Sequence, residues 1–385
     1  MIPYSRQSIN SIDIKNVIKT LKSNYITQGK TIEKFEKKIC NLVKSRHAVA
    51  TNSGTSSLHI SCLALGLKKG DWLWTSSNTF VASANCGKYC GAKIDFIDID
   101  KDTFNISIEK LKLKLIEARK KKILPKIIVA VHFAGEPANL YEIYKLSKKY
   151  KFKIIEDASH ALGAKYRGTP IGKPKYSDII CFSFHPVKPI TTAEGGISVT
   201  NNFMLAHKMK LLRNHGITRN YKALKNKVRK YWYYEQQDLG FNYRMNDLEA
   251  SLGLSQLKRL KIFLRKRQAI AKRYVKLLKK LPITFQKTDP RNFSSYHLFV
   301  ICLNFNKIKK NYNYVFEYLR NRNIGINKHY LPVYSHPYYK KLKKYKKLKH
   351  VEGYTSSAIS LPIYHDLTIK QQVYVAKVLE NALKK

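Results

Sequence analysis

The stretch CFSFHPVKPITTAEGG, residues 181–196, sets Lys188 between Pro186 and Pro189. Each proline removes a backbone donor and fixes its own φ, so the lysine belongs to a stiff loop, neither helix nor strand interior. An apolar strand precedes it, the hydroxyls of Ser183, Thr191 and Thr192 lie close in sequence, and Gly195 and Gly196 let backbone approach closely. A lysine enclosed by such neighbours loses hydration, and its pKa falls until a neutral, nucleophilic amine is accessible. Taken alone, a solvated loop lysine is the usual reading, so the other groups that could converge on it decide.

Asp157 closes the apolar run KFKIIE and is followed by ASHALG, so a carboxylate is delivered to the end of a buried strand. It either caps the next helix or meets a cation, since a buried carboxylate needs a partner, and a protonated heterocyclic nitrogen is one. Upstream, TNSGTSS places Gly54 and Thr55 at a strand-to-helix transition, where free N–H groups and hydroxyls can grip a phosphate. Any helix N-cap has a similar signature. Together, Gly54, Thr55, Asp157, Ser183 and Lys188 stand in the chain order of one cofactor site. Pyridoxal 5'-phosphate calls for this set: a lysine to carry it as a Schiff base, an acid facing the pyridine nitrogen and donors for the phosphate.

The elements that must position these residues follow from periodicity. Up to about residue 200, short β-branched runs (HAVATNS, DWLWTSS, KIDFIDI, PKIIVAVHF, FKIIEDAS, DIICFSF, GGISVT) alternate with helical patterns. That alternation predicts an α/β fold with a mainly parallel sheet covered by helices on both faces, ligands binding at the carboxyl ends of its strands. From about Asn246 the pattern turns helical, then mixed, with YHLFVICL as a strand candidate and helices near residue 315 and at the C-terminus. Two domains are expected, a large one over 1–250 and a smaller α/β domain over 251–385.

The motifs TNSGTSSL, DIDKDTFNI, EDASHALGAKYRG, IGKPKYSDIICFSFHPVKPITTAEGG, LLRNHG and GFNYRMNDLEASLGLSQL resemble the DegT/DnrJ/EryC1/StrS sugar aminotransferases, and the likeness covers nearly the whole chain. It implies a fold-type-I, aspartate-aminotransferase-like architecture with Lys188 as covalent anchor and acid–base group. Asp157 would face the pyridine nitrogen, Phe80 would stack on the ring, where some relatives have tryptophan, and His160 would lie near the ring oxygen. Gly54, Thr55 and Ser183 would hold the phosphate, and Asn242 would come from the neighbouring subunit of a homodimer. Tyr4, the stretch Asn24, Tyr25, Ile26 and Thr27, and Lys328, His329, Tyr330 and Leu331 match segments that line the nucleotide-sugar pocket. SFHPVKPITTAEGG, ALGLSQLK and SNYITQGK are particularly similar to family members of the pseudaminic-acid pathway. They imply transfer of the amino group of glutamate to C4 of a UDP-linked 4-keto-6-deoxy-N-acetylhexosamine. Amination of another UDP- or dTDP-keto sugar, at C3 or C4, is the alternative.

Composition weighs the remaining classes. With 73 Lys and Arg against 25 Asp and Glu, the formal charge is +48, which raises nucleic-acid binding as a rival. The lysines are spread through amphipathic stretches, however, and the densest run, YYKKLKKYKKLKH over 338–350, reads as a solvated face. Neither nucleic acid nor membrane is expected as a partner. The cysteines at 40, 62, 86, 90, 181 and 302 form no CxxC pair, so no metal is expected. The start MIPYSRQSIN lacks a signal-peptide core, and a cytoplasmic protein is expected. A branch of the family that dehydrates sugars has histidine in place of the lysine, and Lys188 argues against that chemistry.

Overall fold

A computed structural model describes residues 1–228, 230–343 and 345–384. Seven strands form the central sheet: β1 (His47–Thr51), β2 (Trp72–Ser76), β3 (Lys93–Ile97), β4 (Ile127–Val131), β5 (Lys153–Asp157), β6 (Ile179–Ser183) and β7 (Gly196–Thr200). Their order is β1-β7-β6-β5-β4-β2-β3. Every neighbour pair is parallel except the two made by β7, which is antiparallel to both β1 and β6. The mainly parallel sheet expected from the alternating pattern is thus present.

Helices lie on both faces because successive strand residues point to opposite sides. Ile127 and Val129 of β4 join Leu58 and Ile60 of α3 (Gly54–Ala64), Cys86 of α4 (Ala82–Tyr89) and Met209 of α7 (Phe203–Leu212). Ile128 and Ala130 face the other way, against Leu111 and Leu115 of α5 (Ile108–Lys120) and Ile143 of α6 (Leu140–Tyr150). Along the β1, β6 and β7 end, that second face is covered by Phe35 and Ile39 of α2 (Lys30–Val43) and Ala250 of α8 (Asp247–Leu257). The run IIVAV of β4 is buried throughout, as a strand covered on both faces must be.

Near the N-terminus, α1 (Ser11–Leu21) is opened by a reciprocal Asn10–Asp13 capping box. The fully buried Asp13 also accepts from Gln256 (2.8 Å) and pairs with Arg259, tying α1 to α8. In α9 (Leu260–Leu278), Leu260, Phe263 and Leu264 pack in the large core, whereas Ile270, Ala271 and Tyr274 pack in a second one. We therefore place the domain division inside α9, later than the expected boundary near residue 250. A helix keeps one periodicity while it changes partners, so the sequence carries no mark of the passage.

The second core surrounds an antiparallel sheet, β8 (Ile283–Phe285), β9 (Phe299–Leu303) and β10 (Ala358–Leu361), covered by α10 (Tyr312–Arg320) and α13 (Ile369–Lys384). Arg267 of α9 is 2% exposed and donates from one guanidinium nitrogen to the carbonyls of Tyr296, His297 and Ile363 (3.0–3.2 Å). Burial lowers its pKa to about 10, which leaves it charged at neutral pH. Arg267→Leu is expected to destabilise the fold by about 2–4 kcal/mol, because three carbonyls lose their donor at once. The shift of the reversible denaturant midpoint at constant m-value measures it.

Between α10 and β10 the chain crosses back to the large domain through α11 (Pro337–Leu342) and α12 (Lys349–Ser357). Val333, Tyr334, Tyr339, Val351 and Tyr354 insert into the core of α3 and α4. In the lysine-rich run, position 344 lies outside the described residues; elsewhere Tyr338 is exposed, while Tyr339 and Tyr345 turn inward. Tyr339 donates to Asn85 (2.7 Å) and Tyr345 to the Ile94 carbonyl (3.3 Å), while Lys343 lies over the Trp72 and Tyr345 rings.

Candidate active site

Strands β1, β4, β5 and β6 end on the same edge of the sheet, and a cavity of about 540 Å³ opens there. It is not the largest. A groove of about 740 Å³ between α1, α2 and α8 is bigger, but its lining holds no carboxylate, histidine or cysteine. Chemistry, not size, singles out the smaller cavity.

β1 leads through Ser53 into α3, whose first residues are Gly54 and Thr55. The Ser53 hydroxyl caps the helix by accepting from the Ser56 N–H (3.0 Å), while the N–H groups of Gly54 and Thr55, in the first helical turn, have no intrahelical acceptor. Both residues line the cavity together with Ser183 at the end of β6. Glycine is required twice in this cradle. A Cβ on Gly54 would lie 2.9 Å from the Ser183 Cβ, and one on Gly196 would lie 2.3 Å from the Ser53 carbonyl oxygen. Backbone donors, hydroxyls and the positive end of a helix converge where Cβ atoms are excluded, the donor set that a phosphate group fits.

Asp157, 6% exposed at the end of β5, is held on both oxygens. Oδ2 accepts from the Ser83 hydroxyl (2.6 Å), and Oδ1 accepts from the hydroxyl and N–H of Ser159 (2.6 and 3.1 Å). These three donors fix the position of the carboxyl group at the cavity wall, where it can meet a cation.

The Lys188 loop is a turn with Pro186 at its second position, closed by the Lys188 N–H donating to the His185 carbonyl (2.9 Å). At its base Phe184 N–H donates to the Gly195 carbonyl and Thr192 N–H to the Phe184 carbonyl. The hydroxyls of Thr191 and Thr192 do not surround the lysine. Thr191 donates to the Phe184 carbonyl (2.9 Å) and Thr192 to that of Glu194, so both close the loop and only Ser183 of the three lines the cavity. Lys188 is half-buried in the cavity wall. Burial lowers its pKa to about 8, with the Asp157 carboxylate opposing the shift. Only the neutral amine attacks a carbonyl, so capture of an aldehyde cofactor by cofactor-free protein should quicken by about tenfold per pH unit from pH 6 and level off above pH 8. Stopped-flow visible absorbance measures this, and a rate still climbing toward pH 10 would contradict it.

His160 accepts at Nδ1 from the Ala134 N–H (3.3 Å), which leaves its proton on Nε2, 3.2 Å from the Tyr330 hydroxyl. Burial first, then the charge of Lys188, holds its pKa well below the ordinary histidine value, so the ring stays neutral. Phe80 is 57% exposed and lines the cavity 6.1 Å from the Tyr330 ring, an open aromatic face beside the amine. Tyr4, Lys328, His329 and Tyr330 reach the cavity from the small-domain side. Lys328 donates to the Thr355 carbonyl (2.8 Å) and lies 3.8 Å over the Tyr312 ring.

The remaining predicted residues are not brought to this cavity. Leu331, next to the lining residues, is exposed and turned away, 48% accessible. Asn24, Tyr25, Ile26 and Thr27 are exposed, anchored by the Ile26 carbonyl accepting from the Asp247 N–H (2.9 Å), and Asn242 is an exposed residue bridged to Asn214. Sequence reasoning missed Ser83, Ser159 and His297. Ser159 had a signal, a hydroxyl two residues after the buried carboxylate; Ser83, 74 positions from Asp157, had none.

The profile of the DegT/DnrJ/EryC1/StrS aminotransferase family matches residues 7–380. The chain is 38% identical to the UDP-4-amino-4,6-dideoxy-N-acetyl-beta-L-altrosamine transaminase of Campylobacter jejuni, over 100% of this chain and 98% of that protein. Among solved structures, Helicobacter pylori PseC, an aminotransferase involved in the biosynthesis of pseudoaminic acid, superposes with a TM-score of 0.91 at 32% identity, covering 100% of this chain and 99% of that one. The sugar aminotransferase Spr1654 of Streptococcus pneumoniae, described as putative in its own name and solved in PMP and PLP forms, gives TM-scores of 0.92 and 0.89 at 26% identity, covering 100% of this chain and 99% and 98% of those chains. With the Gly54 cradle, the buried Asp157 carboxylate and the Lys188 amine of lowered pKa gathered in one cavity, the chain is a pyridoxal-phosphate-dependent enzyme and belongs to the DegT/DnrJ/EryC1/StrS aminotransferase family.

Proposed function

We propose that this aminotransferase moves the amino group of glutamate to the C4 keto group of a UDP-linked 4-keto-6-deoxy-N-acetylhexosamine, forming UDP-4-amino-4,6-dideoxy-N-acetyl-β-L-altrosamine. The observation that carries the proposal is the convergence of Lys188, Asp157 and the Gly54 cradle in one cavity, in a chain with full-length likeness to the Campylobacter enzyme.

Pyridoxal phosphate, when bound, supplies an electron sink for the bonds at the reacting carbon. Gly54, Thr55 and Ser183 hold its phosphate, Asp157 keeps a proton on its ring nitrogen, and Phe80 and His160 orient its ring. Lys188 Nζ anchors it, takes the proton from Cα of the amino donor in the first half-reaction and returns one to C4 of the sugar in the second. Tyr4 and Lys328 through Tyr330 position the sugar nucleotide. The exposed positions Asn24–Thr27 and Asn242 serve the cavity of a second subunit in a homodimer. Six free thiols suit a reducing, cytoplasmic setting.

Purified enzyme mixed with pyridoxal phosphate, glutamate and a panel of UDP- and dTDP-keto sugars tests this. The expected product is a 4-amino sugar on UDP, identified by mass and NMR. Amination of a dTDP sugar alone, or at C3, would replace the proposed substrate by that one.

A further inference from the structure

His297 lines the cavity, is 2% exposed, and has no hydrogen-bond partner at its ring among the described residues. Its Nδ1 is fully buried and unpartnered, yet Nε2 is not among the buried orphan atoms. The residue is rigidly delivered. Arg267 grips its carbonyl (3.2 Å), the Leu298 N–H donates to the Ala134 carbonyl (3.3 Å), and the Ser295 hydroxyl donates to the His160 carbonyl (2.5 Å). Its ring packs against that of His160, centroids 4.3 Å apart.

A buried polar atom without a partner destabilises a fold, so packing behind His160 does not account for a histidine where phenylalanine would pack as well. Burial, then the proximity of His160 and Lys188, hold its pKa well below the ordinary value, and the ring is neutral with a single N–H. Of the two tautomers, the one with the proton on Nδ1 buries an unpaired donor. The other leaves only an unfilled acceptor at Nδ1, the milder defect, and puts the donor at Nε2.

We propose that His297 is a substrate-binding residue of this cavity, its Nε2–H donating to an acceptor oxygen of the bound substrate. That oxygen belongs either to a carboxylate of the amino donor or to the keto sugar, and the inference rests on the amino transfer proposed above. Gln places an N–H donor at the Nε2 position, Asn only at the Nδ1 position, and Phe fills the volume with no donor. His297→Phe and His297→Asn are expected to raise the KM of one substrate by about ten- to a hundredfold, while His297→Gln stays within about threefold of wild type. A rise in the KM for glutamate assigns the carboxylate, and a rise for the keto sugar assigns a sugar oxygen. The dissociation constant of pyridoxal phosphate, from fluorescence quenching, is expected to stay at its wild-type value, and the Tm of His297→Phe to stay level or rise. Equal KM values in all variants, or loss confined to cofactor affinity and Tm, would overturn the assignment in favour of packing. If wild-type enzyme aminates none of the keto sugars, the proposed substrate fails. The glutamate half-reaction, followed by cofactor absorbance, and calorimetric affinity for the UDP sugar then still decide on His297.

Discussion

Lys188→Ala is expected to lower turnover by about 10³-fold or more, with cofactor affinity reduced and the visible band of covalent attachment absent. The size follows from the cavity's inventory of amines. Among the described residues its lining contains two lysines, Lys188 and Lys328, and the second is engaged by the Thr355 carbonyl and the Tyr312 ring. No other amine stands ready to move the proton. Because Lys188 is an ammonium whose burial lowers its pKa, removing it should not destabilise the fold. An unchanged Tm beside lost turnover therefore separates a chemical defect from a folding one. Wild-type absorbance in Lys188→Ala would refute the role outright.

The second large effect is expected for Asp157→Asn, which keeps shape and removes charge. Ser159 and Ser83 can still hydrogen-bond the amide, since a hydroxyl donates or accepts, and Ser83 is itself backed by Thr79 (2.7 Å). Lost is the negative charge proposed to hold a proton on the cofactor's ring nitrogen. Turnover should fall by about 10²–10³-fold, the scale of removing one preorganised electrostatic partner. A companion effect appears on Lys188. The Asp157 charge raises the amine's pKa against the pull of burial, so its removal should move the midpoint of cofactor capture below about pH 8. Single-turnover rates and the stopped-flow pH profile measure the two effects independently, and an unmoved midpoint would mean that the two groups do not sense one another.

The residues most legible in the sequence were those whose local chain explains them. Lys188 stands on a proline-framed turn, Asp157 ends an apolar strand, and Gly54 opens a helix, each signalled within a few neighbours. The two hydroxyls assigned to the lysine's surroundings show the limit of that logic. Thr191 and Thr192 are near Lys188 along the chain, but their short side chains find closer acceptors in the backbone of their own loop. The passage between the two cores leaves no local mark for a related reason, since α9 serves both with a single periodicity.

By itself, the sequence determined the strand and helix alternation, and with it the sheet whose carboxyl edge carries Lys188, Asp157 and Gly54. These depend on side-chain period and on backbone punctuation by glycine and proline, which act over a few residues. Only the tertiary structure decided that β7 runs antiparallel, that Ser83 meets Asp157 and that His297 backs His160. It also decided that residues 333–343 and 345–354 return from the small domain to cover α3 and α4. Those pairings join positions tens to hundreds of residues apart, and packing, which rewards burial and satisfied polar groups wherever the chain can bring them, selects them without leaving a local signal.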